Sequence, residues 1–446
     1  MTTETWLPLV LGYLIPVGFF LLGWGGMEPE HARRAAARGL LALALATLGY
    51  FAVGFAFHLG GAGLMSNQEG LAQLDLLVRW GFIGLDGFFL SGGADTPEAL
   101  LLFAAYLPLA ATAVLIPVIS LSRRATGWQT ALLGLLVAAV LFPLPACWTW
   151  GGGWLAALGQ TVERGHGLVD YAGSGAVYLL GGMIALGGAL ALPRTTARGE
   201  PVGMPPAHFP LLACLGALLT IIGWLGWSLG TPFHAVGAAV NPGRVAAGGL
   251  LGTAGATLTC LIYCWLVLGH SDPLMVARGA VAGLVAVSAG APFLPPWASL
   301  VVGGLAGLLL PFGIYLVDHL LRLADSSGAV ATTALSGMWG LLAVALFADG
   351  RSGQGWNGVG LETYRTVTGQ GVTGFLAAHG MNGDGPGQLI AQLAGLVAIA
   401  LAGLLSGWLT ITLLELPRHP RPAPQPRRDE SCASDENEYT SSSSHP

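Results

Sequence analysis

Residues 167–192 (GLVDYAGSGAVYLLGGMIALGGALAL) determine the predicted architecture of the chain. After Asp170 this stretch carries no charged side chain, and a helix of about 20 apolar residues is long enough to cross a bilayer. Its many glycines would let neighbouring helices approach to backbone contact, which is how helices pack where lipid removes the hydrophobic drive between them. We therefore predict a membrane-spanning helix inside a bundle, and composition alone favours a structural role for it.

The whole chain has the composition of a polytopic membrane protein. Of its 446 residues, 54% are hydrophobic and 9% are charged, whereas soluble domains have about 25% charged residues. The five cysteines have no metal-ligand spacing, and the apolar runs contain no nucleophile–base pair. We expect no disulfide, metal ion, cofactor, nucleic acid partner or enzymatic activity.

The apolar runs predict an all-α protein with eleven transmembrane helices. The spans lie near residues 6–26, 39–60, 99–120, 128–150, 171–193, 208–229, 243–269, 275–294, 297–316, 328–349 and 386–416. We therefore assign residues 1–416 to one transmembrane domain. Residues 417–446 are Pro-rich and then polar, and we expect a disordered cytoplasmic tail there.

The arginines predict the orientation of these spans. Thirteen of the eighteen basic residues, all of them Arg, belong to the tail or to loops that follow odd-numbered spans. The remaining five lie on the opposite side. By the positive-inside rule the N-terminus is outside and the C-terminus is cytoplasmic, in a cell (inner) membrane.

A short motif that occurs twice in the sequence indicates an internal repeat. Asp170 precedes the letters SGAV at 174–177, and Asp325 precedes the same letters at 327–330. The two stretches fall in spans five and ten. Two halves of five spans each would have opposite orientations, which is the inverted-repeat plan of many transporters, with a final helix added after the second half.

A few polar and aromatic residues next to or within the spans are candidates for chemistry. Asp170 is either a helix N-cap or a buried acid that supports a cation site, and these two roles are compatible. Tyr178 lies eight residues further along nearly the same face, and Thr333 lies at the matching depth of span ten. The histidines at span ends, including His58, are expected to be solvated.

Aromatic residues at the outer ends of spans have two interpretations. Trp150, Trp224 and Trp227 lie at or near such ends, and Thr231 follows them. Such residues usually form the interfacial belt of a membrane protein. The alternative is a cage whose aromatic faces replace the hydration shell of a small cation.

These motifs resemble the ammonium transporter (Amt/Rh) superfamily over nearly the whole chain. The pieces that carry the resemblance are Trp150-Gly151-Gly152-Gly153, Asp170-Tyr171-Ala172-Gly173, Ile222-Gly223-Trp224-Leu225-Gly226-Trp227, Ala280-Val281-Ala282-Gly283-Leu284-Val285, Leu320-Leu321-Arg322 before Asp325, Gly337-Met338-Trp339-Gly340 and Leu346-Phe347-Ala348. The resemblance implies an eleven-helix protomer with two inverted repeats, assembled as a homotrimer with one pore per protomer. It also implies a possible cytoplasmic regulator of the PII type.

The resemblance assigns residues to an outer substrate site. Trp150, Trp227 and Thr231 fall where the family has its recruitment site for ammonium, and Asp170 matches the acid that supports it. These types still provide aromatic faces and one hydroxyl acceptor for a cation.

The pore positions depart from the family pattern. The two pore phenylalanines fall at Leu109 and Trp227, with Trp224 nearby, and the twin pore histidines fall at Tyr178 and Thr333. Neither Tyr nor Thr titrates usefully near pH 7, so this pair is a poor proton relay. Tyr178 is also large enough to plug a lumen.

Three functions remain open on the sequence. The chain conducts ammonium or ammonia across the bilayer, or it is a weakly conducting or non-conducting sensor of ammonium, or its pore serves another small solute or gas. The outer site favours the first two, and the first is our principal expectation. The absence of an attached output domain counts against the second.

Overall fold

The computed structural model describes residues 6–60, 81–193, 208–230, 240–323, 325 and 327–415. The described part is mainly helical, as the sequence predicts. Nine of its helices are long and apolar enough to cross a membrane, and two further apolar helices are shorter. We number them α1 (Leu9–Gly25), α2 (Pro29–Leu59), α3 (Pro97–Leu121), α4 (Gly127–Thr149), α5 (Ser174–Ala191), α6 (Pro210–Gly230), α7 (Pro242–Leu268), α8 (Pro273–Ser288), α9 (Pro296–Leu320), α10 (Val330–Phe347) and α11 (Gly385–Glu415).

Helix α5 lies in the interior of the bundle, as its small residues predict. In α5, 83% of the residues are buried inside the protein, against 33% of the apolar window of α11. A Cβ at Gly187 would lie 2.1 Å from the Leu404 carbonyl oxygen, so α11 packs directly on the backbone of α5. At the end of α5 the Arg124 guanidinium donates to the carbonyl oxygens of Ala189 and Leu192, which places a cation at the negative end of the helix dipole.

Helices α5 and α10 cross each other at two glycines in an equivalent way. A Cβ at Gly182 would lie 2.5 Å from Thr333 Oγ1 and 2.7 Å from the Ala334 amide nitrogen. A Cβ at Gly337 would lie 2.4 Å from the Ser174 carbonyl oxygen and 3.0 Å from the Leu179 amide nitrogen. At these glycines each helix therefore packs closely, without a side chain of its own, against the first turns of the other.

Wide π-helical turns lie within or at the ends of several of the helices. Within the described residues they occupy Tyr50–Gly54 in α2, Val137–Leu141 in α4, Ser174–Leu179 in α5, Cys264–Leu268 in α7, Leu316–Leu320 in α9 and Val330–Leu335 in α10. Such turns often occur at functional sites. Those in α5 and α10 are the ones that carry Tyr178 and Thr333.

An irregular segment between α10 and α11 covers one end of the bundle. It contains a two-stranded antiparallel hairpin, β1 (Thr363–Tyr364) paired with β2 (Val367–Thr368). Asp384 accepts hydrogen bonds from Tyr364 and Arg365 and so ties the hairpin to the start of α11. Arg244 of α7 forms an ion pair with Asp349, with 2.6 Å between Nη2 and Oδ2. The predicted tail, 417–446, lies outside the described residues.

Candidate functional site

Asp170 organises the turn that begins α5. Its Oδ2 accepts from the amide nitrogens of Gly175 at 3.0 Å and Ala176 at 2.9 Å. Gly173, at φ +86°, makes the turn possible because a positive φ strains residues with a Cβ. Asp170 is fully buried, and its Oδ1 has no hydrogen-bond partner among the described residues. The carboxylate therefore satisfies the helix start and keeps one acceptor oxygen unused.

The segment before Asp170 is fixed by two amide side chains of α11. Gln392 Oε1 accepts from the Val169 amide at 2.8 Å, and its Nε2 donates to the Val169 carbonyl at 2.9 Å. Gln388 Oε1 accepts from the His166 amide at 3.0 Å. Buried backbone groups in a non-helical segment need such partners, so these glutamines hold the acid in place.

Trp150 connects the end of α4 to the Asp170 turn. Its Nε1 donates to the Asp170 carbonyl oxygen at 2.7 Å. The ring is partly exposed, and its centroid lies 5.4 Å from that of Tyr106. The contact with Tyr106 and the bond to the Asp170 carbonyl place Trp150 against the backbone of the turn.

Three aromatic residues form a continuous group, which we call the aromatic cluster: Tyr106, Trp150 and Trp227. Tyr106 lies between the two tryptophans, with its centroid 6.1 Å from that of Trp227 in an edge-to-face arrangement. Trp227 donates through Nε1 to the Ala105 carbonyl at 2.7 Å and is 1% exposed. Rings within about 6 Å of a common point are the ordinary means of holding a cation without water.

The sequence analysis did not name Tyr106 and misjudged His58. Tyr106 precedes Leu109 by three residues, so one helical turn separates the position that was named from the one that contacts the two tryptophans. His58 was expected to be solvated, and this was wrong because it is 1% exposed. Its ring centroid lies 4.7 Å from that of Tyr106 and 6.0 Å from that of Trp150. The eight-residue spacing between Tyr50 and His58 was the sequence signal that could have indicated their contact.

Tyr178 lies in the interior with an unused hydroxyl group. The residue is 0% exposed, and its Oη has no hydrogen-bond partner among the described residues. Its ring stacks on Phe19 of α1 at 5.6 Å between centroids. Tyr178 therefore occupies space between α1 and α5.

Thr333 lies against α5 and its hydroxyl is occupied. Thr333 Oγ1 donates to the Ala329 carbonyl at 2.7 Å, one turn earlier in its own helix. The same oxygen lies above Gly182. The structure thus brings Thr333 to the α5–α10 crossing, four residues past Tyr178 along α5.

The turn before α10 repeats the Asp170 turn with different surroundings. Asp325 Oδ2 accepts from the Val330 amide at 2.9 Å, and Gly328 has a φ of +63°. Asp325 Oδ1 accepts from the hydroxyls of Ser120 at 3.0 Å and Ser327 at 2.6 Å. The spacings Asp170 to Gly173 and Asp325 to Gly328 agree, whereas the shared SGAV letters are offset by two residues. The letters themselves are therefore not structurally equivalent.

The remaining predicted site residues lie elsewhere. Trp224 donates through Nε1 to Ser288 Oγ at 2.9 Å, and its ring lies over Gly249, so it packs between α6, α7 and α8. Leu109 is buried in the main apolar core on α3. Thr231 lies outside the described residues. Within the part of the chain that the structure describes, no group of three or more His, Cys, Asp or Glu could hold a metal ion.

The model of a known protein family matches nearly the whole sequence. The model described as "Ammonium Transporter Family" matches residues 5–439. The chain belongs to the ammonium transporter family. A curated relative, Ammonium transporter Amt2 of Archaeoglobus fulgidus, is 32% identical over 353 residues, covering 77% of this chain and 71% of the relative. Ammonium transporter 3 of Dictyostelium discoideum is 26% identical over 410 residues, covering 90% and 85%.

Solved structures of this family share the fold. A structure described as "Sensor Amt Protein" has a TM-score of 0.75 at 22% identity and covers 93% of each chain. Mep2 of Candida albicans has a TM-score of 0.69 at 23% identity, covering 91% of this chain and 82% of that chain. The resemblance drawn from sequence motifs is thereby confirmed, and the protein is a multi-pass membrane protein of the ammonium transporter family.

Proposed function

We propose that this protein conducts ammonium or ammonia across a cell membrane, with Trp150, Asp170, Trp227 and Thr231 serving the outer substrate site. The observation that carries the proposal is the aromatic cluster, whose Trp150 bonds to the backbone of the turn that holds Asp170, a buried carboxylate with one oxygen that has no partner among the described residues. Aromatic faces attract a small cation, and a nearby acid lowers the cost of removing its water. A partly exposed Trp150 gives the site access to solvent.

The proposed route continues from the cluster into an apolar interior. Leu109, Tyr178, Trp224 and Thr333 are its proposed pore positions, and Tyr178 and Thr333 are the two brought to the α5 interior. A hydroxyl pair does not exchange protons readily near pH 7. The route therefore suits neutral ammonia, which needs a narrow lumen and loss of the proton before entry.

The wider architecture follows the family plan in this proposal. It comprises eleven spans with the N-terminus outside and the C-terminus inside, two inverted repeats of five spans, and a homotrimer with one pore per protomer. The support within the described residues is the equivalent crossing of α5 and α10 and the pairing of π-helical turns in α2 with α7, α4 with α9, and α5 with α10. A PII-type regulator would bind the cytoplasmic face.

A second candidate function is that of an ammonium sensor with little or no conduction. The observation that favours it is Tyr178, which is fully buried and stacked on Phe19. A tyrosine held there obstructs the path between α1 and α5.

Reconstitution into liposomes separates these functions. Ammonium-driven current and internal pH are measured for the wild type and for a variant that combines Tyr178→His with Thr333→His. We expect an alkaline internal shift without current in the wild type, and added current in the double variant because imidazoles pass protons. Ammonium binding without either signal in the wild type, and transport gained in the variant, would instead establish the sensor. Tyr315→His serves as a matched control, since Tyr315 of α9 is 59% exposed and belongs to neither proposed site.

A further inference from the structure

Phe19 of α1 is a buried ring that contacts the central position of the proposed route. It stacks on Tyr178 with 5.6 Å between the ring centroids and 26° between the ring planes. Phe19 is 7% exposed and Tyr178 is 0% exposed. Centroid distances of this size are those at which aromatic rings attract each other. The two rings therefore form a closed apolar contact, which we call the ring pair.

The ring pair lies beyond the aromatic cluster along α1. A Cβ at Gly12 would lie 3.1 Å from Trp227 Cδ1, so α1 packs on the cluster at this glycine. Phe19 follows Gly12 by seven residues, which is about two helical turns on nearly the same face and about 10 Å along the helix axis. On the intervening turn, Ile15 packs on Gly223 of α6. Phe19 is therefore the first aromatic ring beyond Trp227 on this face of α1.

Helix α3 packs on α1 and on α5 about one turn further along each helix. A Cβ at Gly23 of α1 would lie 2.6 Å from Ile119 Cγ2 of α3. A Cβ at Gly181 of α5 would lie 2.9 Å from Ile116 Cδ1 of α3. The ring pair therefore joins α1 to α5 just before both helices pack closely on α3.

We propose that Phe19 sets the size of the solute that passes, because its ring and the ring of Tyr178 close the route together. This inference rests on the proposed function and adds a residue from α1 to the proposed pore positions. The sequence comparison leaves Leu109 and Trp227 at the two expected aromatic positions, so one of the two rings is absent there. The ring pair supplies an aromatic closure at another level of the route.

The ring pair can open by movement of its own side chains. Phe19 has no polar side-chain atom, and the Tyr178 hydroxyl has no hydrogen-bond partner among the described residues. Either ring can therefore turn to another rotamer without breaking a hydrogen bond to a described residue. The width of a pore at its narrowest point limits what passes. A gap opened by one turning ring suits ammonia better than methylamine, which carries an added methyl group.

The test compares two adjacent phenylalanines of α1 in liposomes. Phe19→Ala opens the ring pair. Phe20→Ala is the matched control, because Phe20 is also 7% exposed and its ring packs on Gly39 of α2 and on Trp24. Internal pH is recorded after equal gradients of ammonium chloride and of methylammonium chloride are applied separately. The readout is the ratio of methylamine entry to ammonia entry, and thermal unfolding in detergent checks that each variant is folded.

We expect Phe19→Ala to speed ammonia entry about tenfold, near the upper end of what one aromatic contact is worth. Methylamine entry should increase by a larger factor, so the ratio should rise. Phe20→Ala should keep the wild-type ratio, because the substitution removes the same ring outside the ring pair.

The outcomes separate this inference from the proposed function. An equal ratio in the wild type and in Phe19→Ala would overturn the inference and leave the proposed function standing. A silent wild type with entry gained in Phe19→Ala alone would support the inference and favour the sensor. Silence in all three proteins would overturn both the inference and conduction.

Phe19→Leu and Phe20→Leu replace the alanine variants if Phe19→Ala does not fold. Leucine keeps most of the apolar volume and removes the aromatic ring. We expect about a threefold higher ratio in Phe19→Leu, since part of the closure remains, and the wild-type ratio in Phe20→Leu. An unchanged ratio in Phe19→Leu would show that Phe19 acts only in packing.

Discussion

The turns before α5 and α10 have the same backbone conformation and differ in what surrounds the carboxylate. Both have an acid, a glycine of positive φ three residues later, and a helix whose first amides bind one carboxylate oxygen. At Asp170 the second oxygen has no partner among the described residues, and at Asp325 it accepts from two serine hydroxyls. The two turns therefore differ in whether other side chains of the protein occupy the second carboxylate oxygen.

Charge distinguishes the two turns further. Arg278 of α8 is 1% exposed, lies against Gly328, and interacts electrostatically with Asp325, Asp318 and Asp272. At Asp170 the carboxylate accepts from the amides of its own turn, and the backbone carbonyl accepts from Trp150 Nε1. A buried cation that depends on nearby acids makes Asp325 a structural residue.

The largest expected effect comes from filling the α5–α10 crossing. Gly182→Ala and Gly337→Ala each place a Cβ within 3.0 Å of backbone atoms of the other helix, and we expect each to cost about 3 kcal/mol or to prevent folding. Thermal unfolding in detergent measures it. Gly304→Ala is the control, because its nearest neighbour would be an ordinary contact at 3.6 Å. If one glycine tolerates alanine and the other does not, the crossings are not equivalent.

Removing each negative charge should affect the two turns differently. Asp325→Asn should destabilise the protein by about 3 kcal/mol, because it leaves the buried Arg278 with less compensation. Asp170→Asn should cost about 1 kcal/mol, since an amide oxygen still accepts from the helix amides. Transport should respond in the opposite order, with Asp170→Asn the more harmful. Equal losses of stability would contradict the distinction between the two turns.

Acid should loosen the region around the Asp170 turn through His166. Burial lowers the pKa of His166 to about 3, so the folded protein cannot bind a proton that the unfolded chain binds below about pH 6.5. Stability is therefore lost as pH falls from 6.5 towards 3, by about 2 kcal/mol at pH 5. Unfolding temperatures at pH 7 and pH 5 measure this, and His166→Gln should remove that part of the dependence. An undiminished slope in the variant would show that other groups cause it.

The smallest expected difference concerns the two hydroxyls. Tyr178→Phe should change stability by less than about 0.5 kcal/mol, since the Tyr178 hydroxyl has no partner among the described residues. Thr333→Val should cost about 1 kcal/mol, because Thr333 bonds to the Ala329 carbonyl. Unfolding midpoints in detergent measure both. A clear loss in Tyr178→Phe would mean that the hydroxyl binds something in the folded protein.

The sequence predicted the membrane class and the family because both depend on composition and ordered motifs. It also placed α5 in the interior from its glycines, since small residues are the packing device of such helices. The sequence analysis also paired Asp170 with Asp325, although it did so through the shared SGAV motif, whose residues are not structurally equivalent. The equivalence depends on the acid and the glycine three residues later, and backbone conformation reveals this.

The candidate site could be predicted only in part. Trp150, Trp227 and Asp170 were named from motifs, and the structure brings Trp150 to Asp170 and both tryptophans to Tyr106. Tyr106 was not named and His58 was wrongly expected to be solvated, because their neighbours come from α2, α3, α4 and α6, and contacts between distant segments leave no local pattern. Trp224 lies three residues before Trp227 on the same helix, yet it packs between other helices.

The glycine crossing of α5 and α10 also limits how anything passes beside it. At Gly182 and Gly337 backbone atoms of the other helix lie within 3.0 Å of where a Cβ would be, so the two helices have little room to slide past each other. A cycle that rocks one half of the protein against the other would have to break this contact at every turnover. A contact of this kind favours a bundle whose helices stay fixed while individual side chains move, over a bundle that alternates between two shapes.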